Sequence, residues 1–274
     1  MNPNKELWEK GDFSKLAATM RDSADQLVER LGVSAGMKVL DLACGDGATA
    51  LPMARRGADV LGVDIARNLV AAAQARVAAE GLTNIRIVEG DACDLSALPD
   101  GSFDLVLTMF GAMFAPCPLE VARSMVRVAK PGGRVVMGNW IPGDPTMVAQ
   151  ILKLMHEYGP PPPEGFVPPT AWGIEAKVIE RFDQAGIPRD AITMEPAIKE
   201  FRLDGPPAAL LDLFLNWFGP VMRVFEHLGP GPRADELRGR MLALIERENM
   251  GEEGRTLIRA RYLLVTVRVP RPAS

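Results

Sequence analysis

A glycine-rich turn with two nearby carboxylates is the most chemically informative part of the sequence. Residues 39–47 read Val-Leu-Asp-Leu-Ala-Cys-Gly-Asp-Gly, which places Asp41 and Asp46 in the turn. Such a turn between a strand and a helix lets backbone N–H groups approach a ligand closely. A dinucleotide site would need Gly-x-Gly-x-x-Gly to bring a pyrophosphate to the helix N-terminus, and carboxylates here would repel a phosphate. The turn therefore favours a ligand that carries an ammonium or sulfonium group.

Asp64 is a second candidate, because it ends the next predicted strand. At this position a carboxylate can accept hydrogen bonds from both hydroxyls of a ribose. The structural alternative is that Asp64 caps the helix that follows. Met109, Phe110, Met113 and Phe114 follow the fourth predicted strand and form a soft, polarisable wall, which suits a cation or an apolar molecule.

The elements that must position these residues alternate between strands and helices. Strands are predicted over residues 37–42, 59–64, 85–88, 103–109 and 134–140. Apolar strands separated by helices indicate a parallel sheet that is covered on both faces, so the fold class is a doubly wound α/β unit. Pro52 is expected about a turn inside the first of these helices, where it should cost a hydrogen bond.

The second half of the chain changes character after residue 140. Strands are predicted over residues 191–203 and 261–269, and two long helices over residues 206–228 and 233–249. We expect an N-terminal helical cover (1–35), a ligand-binding core (36–140) and a segment that completes the sheet (141–274). Two insertions, 141–172 and 204–256, are expected on the side where the ligand binds, all within one structural domain.

Composition excludes several classes of protein. The 274 residues are 47% hydrophobic and 24% charged with a net charge of −4, which excludes a disordered chain and disfavours a nucleic-acid partner. Three cysteines and two histidines leave no disulfide framework and predict no metal site; the cysteines favour a reducing compartment. The start of the chain lacks the apolar stretch of a signal peptide, and no window is long enough to span a bilayer. We therefore expect a cytoplasmic protein.

Five motifs in order resemble the class I S-adenosyl-L-methionine (SAM)-dependent methyltransferases, and most closely the type 11 group that includes the ubiquinone/menaquinone C-methyltransferases. They are the glycine turn at 39–47, Gly-Val-Asp at 62–64, Glu-Gly-Asp-Ala at 89–92, Phe-Asp-Leu-Val at 103–106 and Lys-Pro-Gly-Gly at 130–133. The resemblance implies a Rossmann-like three-layer α/β/α sandwich. Its seven-stranded, mostly parallel sheet has one antiparallel strand, here 261–269, and the order 3-2-1-4-5-7-6.

The resemblance also implies SAM as cofactor and a set of residues that bind it. Asp64 would hold the ribose, Asp91 with the Ala92 N–H would read the adenine edge, and Asp41 would order the turn and the amino group. The full set of expected cofactor residues is Phe13, Asp41, Ala43, Cys44, Gly45, Gly47, Asp64, Ile65, Asp91, Ala92, Met109 and Phe110. His156 and Tyr158 in the first insertion are candidate catalytic residues, although a sulfonium leaving group requires no general base.

The expected acceptor is a small, partly hydrophobic or aromatic molecule. The insertions carry apolar side chains that would line its cavity, with a few polar fixtures: Met147, Ile151, Leu154, Phe214, Trp217, Phe218, Met222 and Phe225, then Asn139, Trp140, His156 and Tyr158. Trp8 and Phe13 are expected in a lid. The Asn/Asp-Pro-Pro-aromatic turn of amine-directed enzymes is absent after the fourth strand. Two alternatives stay open: a nicotinamide-dependent oxidoreductase and a non-catalytic SAM-binding regulatory module. The methylated atom and the oligomeric state are not predicted.

Overall fold

The computed structural model describes residues 4–271, and in this range seven strands form one sheet. The order is β3-β2-β1-β4-β5-β7-β6, and only β7 runs antiparallel to its neighbours. The strands are β1 Lys38–Leu42, β2 Asp59–Asp64, β3 Ile85–Glu89, β4 Phe103–Met109, β5 Ala129–Trp140, β6 Ile192–Leu203 and β7 Thr256–Arg268. This confirms the predicted fold class and strand order.

Helices cover the sheet and its carboxyl edge. They are α1 Asn4–Glu9, α2 Phe13–Ala17, α3 Asp22–Arg30, α4 Ala50–Arg55, α5 Arg67–Glu80, α6 Pro118–Val128, α7 Met147–Tyr158, α8 Glu175–Asp183, α9 Pro207–Trp217, α10 Gly219–Leu228 and α11 Pro232–Glu248. The predicted insertions contain α7 and α9–α11. The expected domain boundaries stay a prediction, and residues 1–3 and 272–274 of the predicted segments lie outside the described residues.

The central strands form because their side chains are buried on both faces. In β1 the last four residues are buried, and in β4 the run from Leu105 to Thr108 is buried. The predicted apolar face of α6, Val121, Met125 and Val128, is completely buried. Gly81 ends α5 in a left-handed conformation, as its position after the apolar repeat predicts. Because β1 to β5 are parallel, their carboxyl ends lie together at one edge of the sheet.

One local prediction is wrong. The helix predicted over 206–228 is two helices, because Pro220 cannot continue the hydrogen bonding of α9 and Gly219 packs against the backbone of Leu7. A Cβ atom on Gly219 would lie 2.0 Å from the Leu7 carbonyl oxygen. Pro52 is the third residue of α4, and the N–H groups of Leu51 and Met53 beside it donate to the carbonyl oxygens of Gly47 and Thr49, four residues earlier. Proline lacks this donor, so its expected cost of one hydrogen bond stays a prediction.

Within the described range, no single helix has the length and hydropathy of a membrane span. Helices α9 and α10 together have this length and hydropathy, but the two helices are bent by 80° at Phe218. The bend instead brings the ends of both helices over the carboxyl edge of the sheet, where Phe214 and Phe218 are buried.

Candidate functional site

One cavity lies at the carboxyl edge of the sheet, where β1 separates the two directions of chain crossover. Ligands of open α/β sheets bind at this topological switch point. The cavity has two parts that differ in chemistry. The acidic half is formed by the segments after β1, β2 and β3 and includes Ala43–Asp46, Asp64 and Asp91. The apolar half is formed by β5, β6, α7 and α9 and includes Trp140, Ile151, Lys199, Phe201 and Phe214.

The glycine turn of the acidic half is a succession of left-handed residues. Ala43, Gly45 and Gly47 have φ angles of 57°, 56° and 77°. A left-handed conformation is strained for alanine and easy for glycine. The Gly45 N–H donates to Asp64 Oδ2 at 2.8 Å, so the end of β2 fixes the turn that follows β1. Gly111 is also required here, since a Cβ atom on it would lie 2.5 Å from the Ala43 Cβ.

Asp41 lies buried beneath the turn. Its Oδ2 accepts a hydrogen bond from Thr49 Oγ1 at 2.6 Å, and its Oδ1 has no partner among the described residues. Burial raises the pKa of Asp41 to about 7, and the neighbouring Asp64 charge adds to the effect, whereas the Thr49 bond opposes it. A buried, unpartnered carboxylate oxygen is costly. This oxygen therefore keeps an unused acceptor beneath the turn.

Asp46 is the other acid of the turn, and its charge is neutralised within the protein. It is 1% exposed, accepts a hydrogen bond from Arg21, and lies 3.2 Å from the guanidinium of Arg76. The expectation that Asp46 presents a free negative charge to a ligand is therefore wrong. The arginines come from α5 and from the segment before α3, so only the tertiary structure brings them to the turn.

Asp64 and Asp91 end β2 and follow β3. Asp64 is 6% exposed and its Oδ1 accepts the Ala66 N–H at 2.9 Å, so its capping role is real. Backbone N–H groups of Gly45 and Ala66 donate to its two oxygens, and a carboxylate oxygen can accept more than one hydrogen bond. Burial is the main cause that raises the pKa of Asp64. Asp91 is half-buried, and its Oδ1 accepts the Cys93 N–H at 2.9 Å. Both carboxylates line the cavity.

The apolar half is built around stacked aromatic rings. Phe110 and Trp140 are parallel, with ring centroids 4.0 Å apart, and Tyr262 meets Phe110 edge-on at 5.0 Å. Phe110 has a positive φ of 63°, which is strained for a bulky residue and turns its ring towards Trp140. Val148, Ile151 and Leu152 of α7 close the cavity from the insertion.

The N-terminal segment covers the cavity with a second aromatic cluster. The ring of Trp8 lies 5.7 Å from Phe13, 5.0 Å from Phe114 and 5.9 Å from Phe218. The segment is anchored to α5 by Glu9, which accepts from Arg67 at 2.9 Å. These contacts join the N-terminus, the loop after β4 and the insertion helices into one cover.

The structure brings most of the predicted cofactor residues to this cavity. All of them line it except Asp41, which lies below the turn, and Gly47, whose missing side chain makes room for Leu51. The candidate catalytic pair is placed elsewhere. His156 is exposed on α7, and the Tyr158 hydroxyl is bound by Arg240 at 2.9 Å. Neither of them lines the cavity, so this geometry gives no support to the hypothesis that they are catalytic.

The acceptor-side predictions are met only in part. Trp140, Ile151, Phe214 and Phe218 line the cavity, whereas the other proposed residues do not; Asn139 among them is buried within β5. Sequence reasoning missed Lys199 and Phe201. A signal was present, because Ala197, Lys199 and Phe201 share one face of β6 by their alternation, and a charge between two apolar residues is unusual.

A disulfide joins Cys93 and Cys117, whose Cα atoms lie 5.9 Å apart. It ties the segment that carries Asp91 to the start of α6. Cys117 is at the N-cap of that helix, but its side chain makes no capping hydrogen bond. The cysteine count therefore does not support the inference of a reducing compartment. Cys44 is a buried free thiol, and burial raises its pKa well above the usual value.

Known proteins share the sequence motifs and the fold described above. The sequence model of the type 11 methyltransferase domain matches residues 40–137. An uncharacterised protein of Mycobacterium tuberculosis is 32% identical over 232 residues, which cover 82% of this chain and 80% of that protein.

Two solved structures show the same fold. The YcgJ protein from Bacillus subtilis superposes with a TM-score of 0.60 at 19% identity and covers 92% of this chain and 99% of its own. Phosphoethanolamine N-methyltransferase 2 of Haemonchus contortus, in complex with phosphomonomethylethanolamine and S-adenosylhomocysteine, superposes with a TM-score of 0.57 at 18% identity, over 91% and 53% of the chains. With the five motifs in register on this sheet, the chain belongs to the class I SAM-dependent methyltransferases, enzymes whose cofactor is SAM.

Proposed function

We propose that this enzyme transfers the methyl group of SAM to a small, partly hydrophobic or aromatic molecule. The observation that carries the proposal is the continuity of the cavity. The acidic half opens directly into the apolar half, and the aromatic cover of Trp8, Phe13, Phe114 and Phe218 lies over both. The two substrates of a methyl transfer would therefore lie side by side and out of water.

The residues of the acidic half fit the donor. Asp64 would accept the ribose hydroxyls, Asp91 and the Ala92 N–H would meet the adenine edge, and the left-handed turn at 43–45 would allow close approach of the backbone. The unpartnered Oδ1 of Asp41 would receive the amino group, directly or through a water molecule. When bound, SAM supplies an electrophilic methyl group on a good leaving group.

The apolar half would position the acceptor rather than activate it strongly. Parallel rings of Phe110 and Trp140 offer a flat apolar surface, and Ile151 and Phe214 narrow the space beside it. In-line transfer from a sulfonium depends mainly on alignment and on the exclusion of water. A cavity that lies beneath an aromatic cover also favours a small acceptor over a protein or nucleic acid.

Two measurements test the proposal. S-adenosylhomocysteine should raise the melting temperature of the protein, because it binds the folded state alone, and NAD should not. Protein incubated with methyl-labelled SAM and a panel of small aromatic and apolar metabolites should then yield a labelled small molecule. Stabilisation by S-adenosylhomocysteine without any labelled product would instead indicate a regulatory module that binds the cofactor. Stabilisation by NAD alone would overturn the assignment of the acidic half.

A further inference from the structure

One cation faces the apolar half of the cavity. Lys199 lies on β6, is 8% exposed, and lines the cavity together with Phe201 and Trp140. Lysine is almost never buried to this degree unless its ammonium group has a partner. The position of Lys199 is set by the alternation of β6, which turns Ala197, Lys199 and Phe201 inwards and Ile198 and Arg202 outwards.

Within residues 4–271 the ammonium group of Lys199 has neither a hydrogen bond nor an ion pair. Its neighbour Glu200 does not serve it, because that carboxylate is held by Arg202 and Arg259. Burial lowers the pKa of Lys199 to about 8, and no opposing charge offsets the effect. An unpaired buried charge is costly, so an anionic partner for this lysine would lower the free energy of the folded protein.

The carboxylates of the cavity do not pair with Lys199. They belong to the acidic half, which follows β1, β2 and β3, whereas β6 is at the opposite edge of the sheet. A bound donor would bring a sulfonium, a second positive charge, into the same apolar space. Two cations in a medium of low dielectric repel each other strongly, and a nearby anion offsets this repulsion. The remaining occupant of the cavity is the acceptor.

We propose that Lys199 anchors the acceptor, and that the acceptor carries one anionic oxygen, a carboxylate or an ionised phenol, on an otherwise apolar or aromatic body. This rests on the proposed function, since it assigns the apolar half to the acceptor. Lys199 is a specificity-determining residue in this view. It selects an acidic acceptor over a neutral one of the same shape.

A different role is possible for a lysine at this place. β6 is an edge strand, and inward-pointing charges on edge strands protect a sheet against pairing with other chains. A protective lysine of this kind would show no preference for an anionic ligand. The two roles therefore predict different binding behaviour.

The test measures binding of 2-naphthoate, 2-naphthol and the neutral isostere 2-naphthamide to protein saturated with S-adenosylhomocysteine, by calorimetry. The wild type should bind one of the acidic probes about tenfold more tightly than the amide, as expected for a hydrogen bond to a charged group. Preference for the carboxylate or for the phenol identifies the source of the anionic oxygen. Lys199→Met should reduce the preference to less than about twofold, and Lys199→Arg should retain most of it.

Lys153→Met is the matched control, because Lys153 is exposed on α7 beside the cavity and the substitution changes the net charge equally. It should leave every dissociation constant unchanged. Equal affinity of the wild type for all three probes, no binding of any of them, or a preference that survives in Lys199→Met would overturn the proposal. S-adenosylhomocysteine binding is measured first in each variant. If the wild type does not bind S-adenosylhomocysteine, the proposed function is contradicted. If it binds S-adenosylhomocysteine but does not prefer an acidic probe, only the role of Lys199 is contradicted.

Discussion

The acidic half and the apolar half of the cavity are built in different ways. The acidic half is made by short segments at the ends of three adjacent parallel strands, and backbone N–H groups of these segments hold Asp64 and Asp91. The apolar half collects single side chains from β5, β6, α7 and α9. The first is a rigid site for a ligand of fixed structure. The second is a packing surface in which a few substitutions would change the ligand, so the two halves should respond independently to mutation.

The largest effect is expected at Asp64. Asp64→Ala removes the acceptor of two ribose hydroxyls and of the Gly45 N–H, and each hydrogen bond to a charged group contributes about 1.5–3 kcal/mol. The dissociation constant of S-adenosylhomocysteine should rise by more than about 100-fold. Calorimetric titration measures this change.

Asp59→Ala is the control for Asp64, because Asp59 begins the same strand and is exposed. Asp64→Asn separates charge from structure, since the amide oxygen can still accept one backbone bond. If Asp64→Ala folds and binds S-adenosylhomocysteine as the wild type does, the acidic half does not hold the donor.

The disulfide is expected to affect stability next. Replacing Cys93 and Cys117 by serine opens a loop whose ends are 24 residues apart, and loop-closure entropy predicts a loss of about 3 kcal/mol in the free energy of unfolding. Urea denaturation measures the loss. Wild-type protein treated with a thiol reductant should behave like the double variant, and equal stability of oxidised and reduced protein would show that the bond constrains nothing.

The pH dependence of the free energy of unfolding is expected to report on Lys199 in the apolar half. Its folded-state pKa of about 8 lies below the ordinary value of 10.5, so the unfolded chain binds more protons between these pH values. Stability of the wild type relative to Lys199→Met should therefore rise between about pH 8 and pH 10.5. Below pH 8, Lys199→Met should be more stable by at most about 3 kcal/mol.

Denaturation of both proteins at pH 7 and pH 10 measures this linkage, and Lys153→Met should show no such dependence. Lys199→Met should also bind S-adenosylhomocysteine with unchanged affinity, because this product carries no sulfonium charge and its expected binding residues lie at the ends of β1, β2 and β3 rather than on β6. A loss of cofactor binding in this variant would show that the two halves are one energetic unit.

The smallest effect is expected in the cover. Trp8→Ala removes edge contacts with Phe13 and Phe114, each worth about 0.5–1.5 kcal/mol beyond area burial. Affinity for S-adenosylhomocysteine should fall by about tenfold. Hydrogen exchange should lose the cofactor-dependent protection of residues 8–17, whereas Trp217→Ala, at a side chain that does not line the cavity, should keep it. Equal exchange with and without cofactor in the wild type would count against a lid.

The sequence by itself determined the sheet and most of the acidic half. Buried runs separated by helices can only form a covered parallel sheet, and parallel strands bring their carboxyl ends to one edge. Asp64 is the last residue of β2 and Asp91 lies two residues after β3, so the local pattern places them without knowledge of any distant contact. The glycine turn is local in the same sense, because its left-handed residues are neighbours in the chain.

Only the tertiary structure decided the rest, because these features depend on contacts between residues far apart in sequence. Arg21 and Arg76 neutralise Asp46, although they come from elements on either side of it. Cys93 and Cys117 meet because α6 begins beside the segment that follows β3. Lys199 lies among aromatic rings because the long edge strand β6, covered by the N-terminal segment, turns one face towards the cavity. His156 was a candidate because its insertion was expected to lie over the acceptor, but the packing of α7 against α10 and α11 leaves its side chain exposed.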